Sequence, residues 1–249
     1  MSTAEISVDP RPTTPTVPTD PLVPRDELPD LTGYRGVHHA IRTAARRLAA
    51  AASDMSPNDA PRRRALRRYW NGFAGEVLAH HTVEDDVFFP ALGARTAQVA
   101  EYAGQLADDH HVLDELMLDA SANIEFFTKP GAASRAVRVL AHLATHMDEH
   151  LDLEDEFVLP LFTRHFHAAD YAELEQHAVQ AIGLGAQAAF TVPFIVDAMS
   201  PADRARALAG APAPMKVLYR LTRRRHARLD HAVFLGAAAP AASSRTVAS

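Results

Sequence analysis

Histidine is the residue type in this chain whose number and spacing could support chemistry, since the sequence has 14 histidines and no cysteine. Two segments carry one pattern, in which a histidine is followed four residues later by glutamate, then by two acidic residues, three apolar residues and a proline. The segments start at His80 and His150, and roughly forty residues before each lies a His-His pair that begins at His38 or His110. Two copies in register indicate an internal repeat built from metal-ligand residues.

The spacing of four has a direct structural meaning on a helix. Residues four apart lie about 40° apart around the axis and one turn along it, so an imidazole and a carboxylate can reach the same point. Such a pair can bind one metal, or its carboxylate can bridge two metals. Without cysteine, iron–sulfur clusters, disulfides and thiol nucleophiles are excluded. Nitrogen and oxygen ligands suit iron, manganese or zinc better than copper(I).

Helical periodicity indicates which histidine of each upstream pair faces the interior. His38 shares a stripe with apolar residues, whereas His39 lies on a stripe with three arginines. His110 lies with leucines, while His111 falls among acidic residues. The inward members are therefore predicted to be His38 and His110.

The same test favours His80 over His81, but this choice stays open because His81 and Asp85 repeat the spacing one residue on. A single histidine on an apolar face is more often a hydrogen-bonded core residue than a ligand. Two glutamates on apolar faces are harder to explain without a cation. The predicted metal ligands are His38, His80, Glu84, His110, His150 and Glu154, with His146 as a candidate seventh.

The other polar residues near these motifs are assigned lesser roles. The acidic residues that follow each motif glutamate are expected to be solvated or to orient histidines. These are Asp85, Asp86, Asp155 and Glu156. Tyr34, one turn before His38, could donate a hydrogen bond near the site, although packing alone is favoured.

The elements that must position these residues are helices. Long amphipathic segments separated by short breakers predict an all-α protein with an antiparallel, up-down four-helix bundle over residues 31–167. Their predicted bounds are 36–53, 61–89, 97–127 and 132–159. Residues 168–235 predict further, shorter helices, broken around Pro193, Pro201, Pro212 and Pro214. Residues 1–30, which hold seven of the 17 prolines, and residues 236–249 predict disordered tails.

Charge and hydropathy narrow the cellular context. The net charge is −6, which does not favour nucleic acid or an anionic membrane as a partner. No apolar run approaches the ~20 residues of a membrane span, and the N-terminus lacks the profile of a secretory signal. We expect a soluble, cytoplasmic protein. The arginines between 220 and 228 could contact nucleic acid or lipid, but a solvated helix face is favoured.

Together the motifs resemble those of the hemerythrin-like, or HHE cation-binding, domain, over roughly residues 32–165. The matching stretches are His38-x-x-Ile-Arg, His110-x-x-Leu and the two His-x-x-x-Glu-Asp segments that end in proline. The alanine- and arginine-rich composition and the C-terminal extension are similar to the actinobacterial branch of that family. The resemblance implies a four-helix bundle around two non-haem irons, oxo- or hydroxo-bridged, with two bridging carboxylates. Its ligands fall on the six residues above, and ligand type alone leaves zinc or manganese open.

Two departures from oxygen-carrying hemerythrins bear on function. Their third helix carries His-x-x-x-His, whereas here His110 is followed at that spacing by Asp114. They also place an aspartate five residues after the fourth-helix histidine, where this chain has Glu154 at four. The site is therefore expected to lack one histidine, unless His146 supplies it, and to be open and reactive.

The leading hypothesis from the sequence is a di-iron protein that binds or reacts with a small oxidant, namely O₂, peroxide or NO, as in oxidative or nitrosative stress. Enzymatic turnover stays open. The alternative is a non-catalytic protein for iron storage, delivery or sensing, with the C-terminal helices able to contact a protein partner. A ferritin-type oxidase is disfavoured because the chain has no Glu-x-x-His.

Overall fold

The computed structural model describes residues 24, 27–182 and 185–235, and this part of the chain is helical with no strands. The prediction of an all-α protein is confirmed. The α-helices run over Thr32–Ser53 (α1), Ala60–Val83 (α2), Phe89–Gly93 (α3), Ala100–Glu125 (α4), Ala132–Leu153 (α5), Leu159–His165 (α6), Ala168–Ile182 (α7), Ala188–Ala198 (α8), Pro201–Gly210 (α9) and Ala213–Phe234 (α10). The predicted tails fall almost entirely outside the described residues.

Helices α1, α2, α4 and α5 form the bundle, in which α5 packs against α1 and α4, and α2 packs against the same two helices. Local sequence sets where they begin. The Asp59 side chain accepts a hydrogen bond from the Arg62 backbone N–H at 3.0 Å and caps α2, and Pro61 occupies its first turn. Gly131, at φ 76°, supplies the left-handed turn that precedes α5.

Two apolar clusters fill the bundle interior. One includes Ile41, Phe73 and Leu140, and the other includes Phe88 and Phe162. On each bundle helix the predicted ligands lie between residues of the first cluster and residues of the second. Both clusters exclude water from the polar residues between them. A charged group there must therefore be stabilised by its polar neighbours, because water cannot solvate it.

The prediction that the second and fourth bundle helices end before Pro90 and Pro160 is wrong. A π-helical turn, Glu84–Phe88, follows α2, and another, Glu154–Val158, follows α5. In each, the backbone N–H that precedes the proline donates to the carbonyl of the motif glutamate, five residues back. The wider turn accommodates a proline, which has no N–H and would otherwise clash with a carbonyl one turn back. The chain therefore continues as α3 and α6.

The C-terminal extension packs against the bundle and differs in part from its prediction. Helix α10 is 22 residues long, and α8 runs through Pro193 instead of breaking there. Phe194, Val233 and Phe234 join the larger apolar cluster of the bundle. Gly72 on α2 leaves room for Phe190 on α8, because a Cβ at residue 72 would lie 2.4 Å from the Phe190 ring.

Helix α7 covers the end of the bundle that holds the smaller cluster. Tyr171, 1% exposed, packs against the rings of Phe88 and Phe162. Glu175, one turn further along, faces the start of α1, where a Cβ at Gly33 would lie 3.1 Å from its Oε1 atom. Burial, and then the negative charge of Asp30, raise the pKa of Glu175 to about 7.

Replacement of Glu175 by glutamine is expected to stabilise the fold at alkaline pH. A carboxyl whose pKa is raised in the folded state stabilises that state below the unfolded pKa and loses this contribution as pH rises through the folded value. After allowance for solvent screening, we expect Glu175→Gln to raise the free energy of unfolding by about 1–2 kcal/mol at pH 8.5 and by little at pH 5. Urea denaturation at both pH values measures this. Glu173→Gln, on the exposed face of α7, should change neither.

Candidate metal centre

The bundle interior holds a compact group of five histidines and two glutamates. The structure brings together all six residues of the main prediction and adds His81. None of the seven is more than 7% exposed, and Glu84, His150 and Glu154 are completely buried. Helices α1, α4 and α5 each contribute one histidine, α2 contributes two, and each π-helical turn contributes a glutamate as its first residue.

The seven side chains divide into two overlapping groups. In the first, His38, His80, Glu84 and Glu154 each offer a ligand atom within 4.8 Å of the others. In the second, His110 and His150 are grouped in the same way with the same two glutamates. His81 clusters with His110 and His150. The two glutamates are therefore common to both groups, as two carboxylates bridging a pair of metal ions would be.

Each glutamate presents one oxygen to each group. Glu84 Oε1 lies 3.1 Å from His80 Nε2, while Glu84 Oε2 lies 3.8 Å from His110 Nε2. Glu154 Oε2 lies 3.3 Å from His38 Nε2, and Glu154 Oε1 lies 3.7 Å from His150 Nε2. Ligand atoms about 2.1 Å from one metal are about 3.0 Å apart at right angles and about 4.2 Å apart when opposite. The observed distances fall in or near that range.

Hydrogen bonding supplies an independent test of fit to a cation. The Nε2 atoms of all five histidines are buried without a hydrogen-bond partner among the described residues, as are Glu84 Oε2 and both carboxylate oxygens of Glu154. A buried unsatisfied polar atom costs about 1–3 kcal/mol, and native proteins have few. These eight atoms converge on one region, so a metal pair would satisfy them together. The residues fit such a group.

Burial and the neighbouring charged groups shift the pKa values of the clustered side chains. Burial raises the pKa of Glu154, and the neighbouring Glu84 carboxylate raises it further. Burial alone would also raise the pKa of Glu84, but His80 and His38 lower it, so this carboxyl stays ionised. Burial lowers the pKa of His80 to about 3, which leaves its imidazole neutral and able to bind a cation at neutral pH.

His81 is the residue that periodicity missed. It is 4% exposed, and its ring stacks on that of His110 with 4.0 Å between centroids. Neighbouring residues on a helix point about 100° apart, and a wide buried face accommodates both His80 and His81. The repeated His81-to-Asp85 spacing was the available signal. The buried cluster therefore contains five histidines, one more than the sequence analysis assigned to it.

His146 lies beside the site and not among the clustered atoms. It is 20% exposed at its side chain, and its Nε2 atom is 3.6 Å from Asp109 Oδ1. The other oxygen of Asp109 lies 3.8 Å from His150 Nδ1. Sequence reasoning did not single out Asp109, since it belongs to neither repeated motif.

Two motif aspartates orient histidines of the opposite half of the repeat. Asp155, after Glu154, accepts a hydrogen bond from His38 Nδ1 at 2.8 Å, and Asp85, after Glu84, accepts one from His110 Nδ1 at 3.3 Å. A carboxylate that accepts from Nδ1 fixes the proton there and leaves Nε2 free to bind metal. The second oxygen of Asp155 accepts from Arg42 at 3.1 Å, so Asp155 is itself held in place.

Replacement of Asp155 by asparagine is expected to weaken metal binding about 10- to 100-fold, because His38 loses the partner that orients it. Asp152→Asn is the matched control. Asp152 also contacts Arg42 but is 60% exposed and does not touch a histidine of the site. Competition with a chelator measures both affinities. Equal losses in the two variants would show that the Arg42 contacts, and not the His38 hydrogen bond, carry the effect.

Tyr34 contacts the site directly. Its hydroxyl donates a hydrogen bond to Glu84 Oε1 at 2.5 Å, and its ring packs edge-on to His38 with 4.7 Å between centroids. Burial, reinforced by Glu84, raises the pKa of Tyr34, so the phenol keeps its proton and remains a donor. Tyr34 therefore combines packing with a polar contact to a shared carboxylate.

No helix in the described part of the chain has the length and apolar character needed to cross a bilayer. A family model described as the hemerythrin HHE cation-binding domain matches residues 31–181, which include the bundle and all but the last residue of α7. Neither a curated protein nor a solved structure matches the chain. The family match covers more than half of the sequence and contains every residue of the buried histidine–glutamate cluster. The chain therefore belongs to the hemerythrin HHE cation-binding family, and its bundle is a metal-binding domain.

Proposed function

We propose that this protein holds two non-haem irons in the bundle and that the pair binds or reacts with a small oxidant: O₂, peroxide or NO. The observation that carries the proposal is the pair of shared glutamates, each of which offers one oxygen to each group of histidines. A carboxylate so placed would offer one oxygen to each of two ions. Two adjacent redox-active metals can exchange two electrons with one bound oxidant.

The donors divide unequally between the two proposed positions. His38 and His80, with the two glutamates, give the first position four protein donors. Glu84, His110, His150 and Glu154 form the second group, and His81 clusters with its two histidines, so with His81 added the second position would have five donors. Structural zinc is almost always four-coordinate, so five donors favour iron or manganese. The first position, with fewer protein donors, would be the one to accept an exogenous ligand, and Tyr34 contacts Glu84 beside it.

The chain's own residues prepare the site in three ways. The apolar clusters exclude water, Asp155 and Asp85 fix the tautomers of two histidines, and Tyr34 holds a proton at Glu84 Oε1. None of these contacts needs to form during a reaction. With His81 as a fifth histidine ligand, a site short of one histidine would no longer argue against reversible O₂ binding, so binding and turnover are both retained within the proposal.

An anaerobic titration tests the proposal. The purified full-length chain, loaded with ferrous iron, is exposed separately to O₂, hydrogen peroxide and NO while its optical spectrum is recorded. We expect a saturable spectral change with at least one of the three, absent from the zinc-loaded protein. No change with any of them would overturn the proposal. Readily lost metal, together with a shape change on chelation, would favour the alternative of iron storage, delivery or sensing.

A further inference from the structure

A second feature of the fold is a cavity of about 290 Å³ between the bundle and the C-terminal extension. Its walls come from α1, α2, α7 and α8, and two methionines of the extension, Met199 and Met215, complete it. At one side the wall consists of Tyr34 and His80, which belong to the metal centre. The cavity therefore adjoins the proposed metal position that has fewer protein donors.

The size and lining of the cavity indicate which kind of molecule it could bind. An apolar cavity of about 150 Å³ holds benzene, whereas a buried water needs two to four polar partners. Most lining side chains here are aliphatic or aromatic, among them Val37, Phe88, Val192 and Ile195. Water would find few partners in such a space, and a diatomic gas would fill only a small part of it. An organic molecule of about ten to twelve non-hydrogen atoms matches the volume.

Two carboxyl groups give the cavity its polar character. Glu76, one turn before His80 on α2, is 3% exposed. The Thr191 hydroxyl donates a short hydrogen bond to its Oε2 atom, and no described residue hydrogen bonds to its Oε1 atom. Glu175 is the second carboxyl in the wall, and no arginine or lysine lines the cavity in the described part of the chain. Because no basic side chain is available to pair with it, a negatively charged ligand would be disfavoured, while a hydroxyl group could hydrogen bond to the Oε1 atom of Glu76.

We propose that this cavity binds a neutral, largely apolar organic molecule that carries one hydroxyl group, with the hydroxyl at Glu76 and the apolar body against Tyr34 and His80. This goes beyond the proposed reaction with a small oxidant, since it adds a second ligand beside the metal centre. It depends on protein side chains alone and not on which metal is bound.

Calorimetry with 1-naphthol, naphthalene and 1-naphthoate tests the pocket on the full-length chain. We expect 1-naphthol to bind saturably at one molecule per chain, and 1-naphthoate to bind at least tenfold more weakly. Glu76→Leu should reduce the preference for 1-naphthol over naphthalene, because it removes the acceptor and keeps the volume. Equal binding of 1-naphthol and 1-naphthoate, or no saturable binding, would overturn the proposal.

A pair of matched variants locates the binding. Val192 lines the cavity and is 7% exposed, whereas Val217 on α10 is 51% exposed and does not line it. Val192→Phe should weaken 1-naphthol binding at least tenfold, and Val217→Phe should leave it unchanged; an unchanged Val192→Phe would overturn the proposal. If Val192→Phe fails to fold, Ala188→Leu fills the same cavity and should have the same effect.

Measuring both metal-loaded and metal-free protein separates this proposal from the proposed function. Binding of 1-naphthol by protein that reacts with no oxidant would support the pocket and overturn the metal chemistry. Reaction with an oxidant in protein that binds none of the three probes would do the reverse.

Discussion

Replacement of Glu84 by glutamine is expected to abolish binding at both metal positions, because Glu84 offers one oxygen to each group of histidines. An amide keeps the volume but loses the charge and one acceptor oxygen. Groups that only orient a ligand change affinity about 10- to 100-fold, so loss of a shared ligand should cost at least about 100-fold at each position. Metal content after dialysis, measured by plasma mass spectrometry, reports the result.

Asp86→Asn is the matched control for Glu84→Gln, since Asp86 is an exposed acidic residue two positions further along the same π-helical turn. It should retain the full metal content. Loss of metal from Asp86→Asn to the same extent would show that the effect is not specific to Glu84.

Replacement of His81 by alanine is expected to remove one metal and leave the other. His81 clusters with His110 and His150, whereas the group around His38 and His80 does not include it. We expect about half the metal content of the parent chain. The protein should also lose the stabilisation that ligand provides, about 2.7 kcal/mol when the metal is at 100 times its dissociation constant. Thermal unfolding with and without added metal measures that difference.

His111→Ala serves as the control for His81→Ala, because His111 is the second member of its own pair and its side chain is 75% exposed. It should change neither metal content nor stability. Retention of both metals by His81→Ala would mean that the second position has only two histidines. The site would then be as open as the sequence alone suggested.

The parts of this site that the sequence predicted are those that follow from helical spacing. A histidine and a glutamate four residues apart on a buried stripe must lie together, and the repeat places two such pairs in one bundle. The same reasoning identified His38 and His110 as the inward members of their pairs. Helix existence and the breaks between the four bundle helices also follow from local sequence.

The parts that the sequence did not predict depend on tertiary context. Periodicity assumes one inward direction, so it favoured one of His80 and His81, whereas α2 buries both side chains. Proline was taken as a helix end, but the π-helical turns at Glu84 and Glu154 let the chain continue. The contact of Asp109 with His150 joins two helices whose relative register no local pattern specifies.

The crossed arrangement of the outer aspartates has a consequence for cooperation between the halves. Asp155 follows a glutamate of the second motif and orients His38, which precedes the first, and Asp85 does the reverse for His110. Each half of the repeat therefore orients a histidine of the other. A change in the packing between the two halves should therefore weaken metal binding at both proposed positions.

X-ray diffraction at the iron absorption edge, on crystals of the iron-loaded chain, tests whether two metals share the two glutamates. We expect two anomalous peaks about 3.5–4 Å apart. One should lie among His38, His80 and the two glutamates, and the other among His81, His110, His150 and the same glutamates. A single peak, or iron bound only outside this cluster, would contradict this expectation.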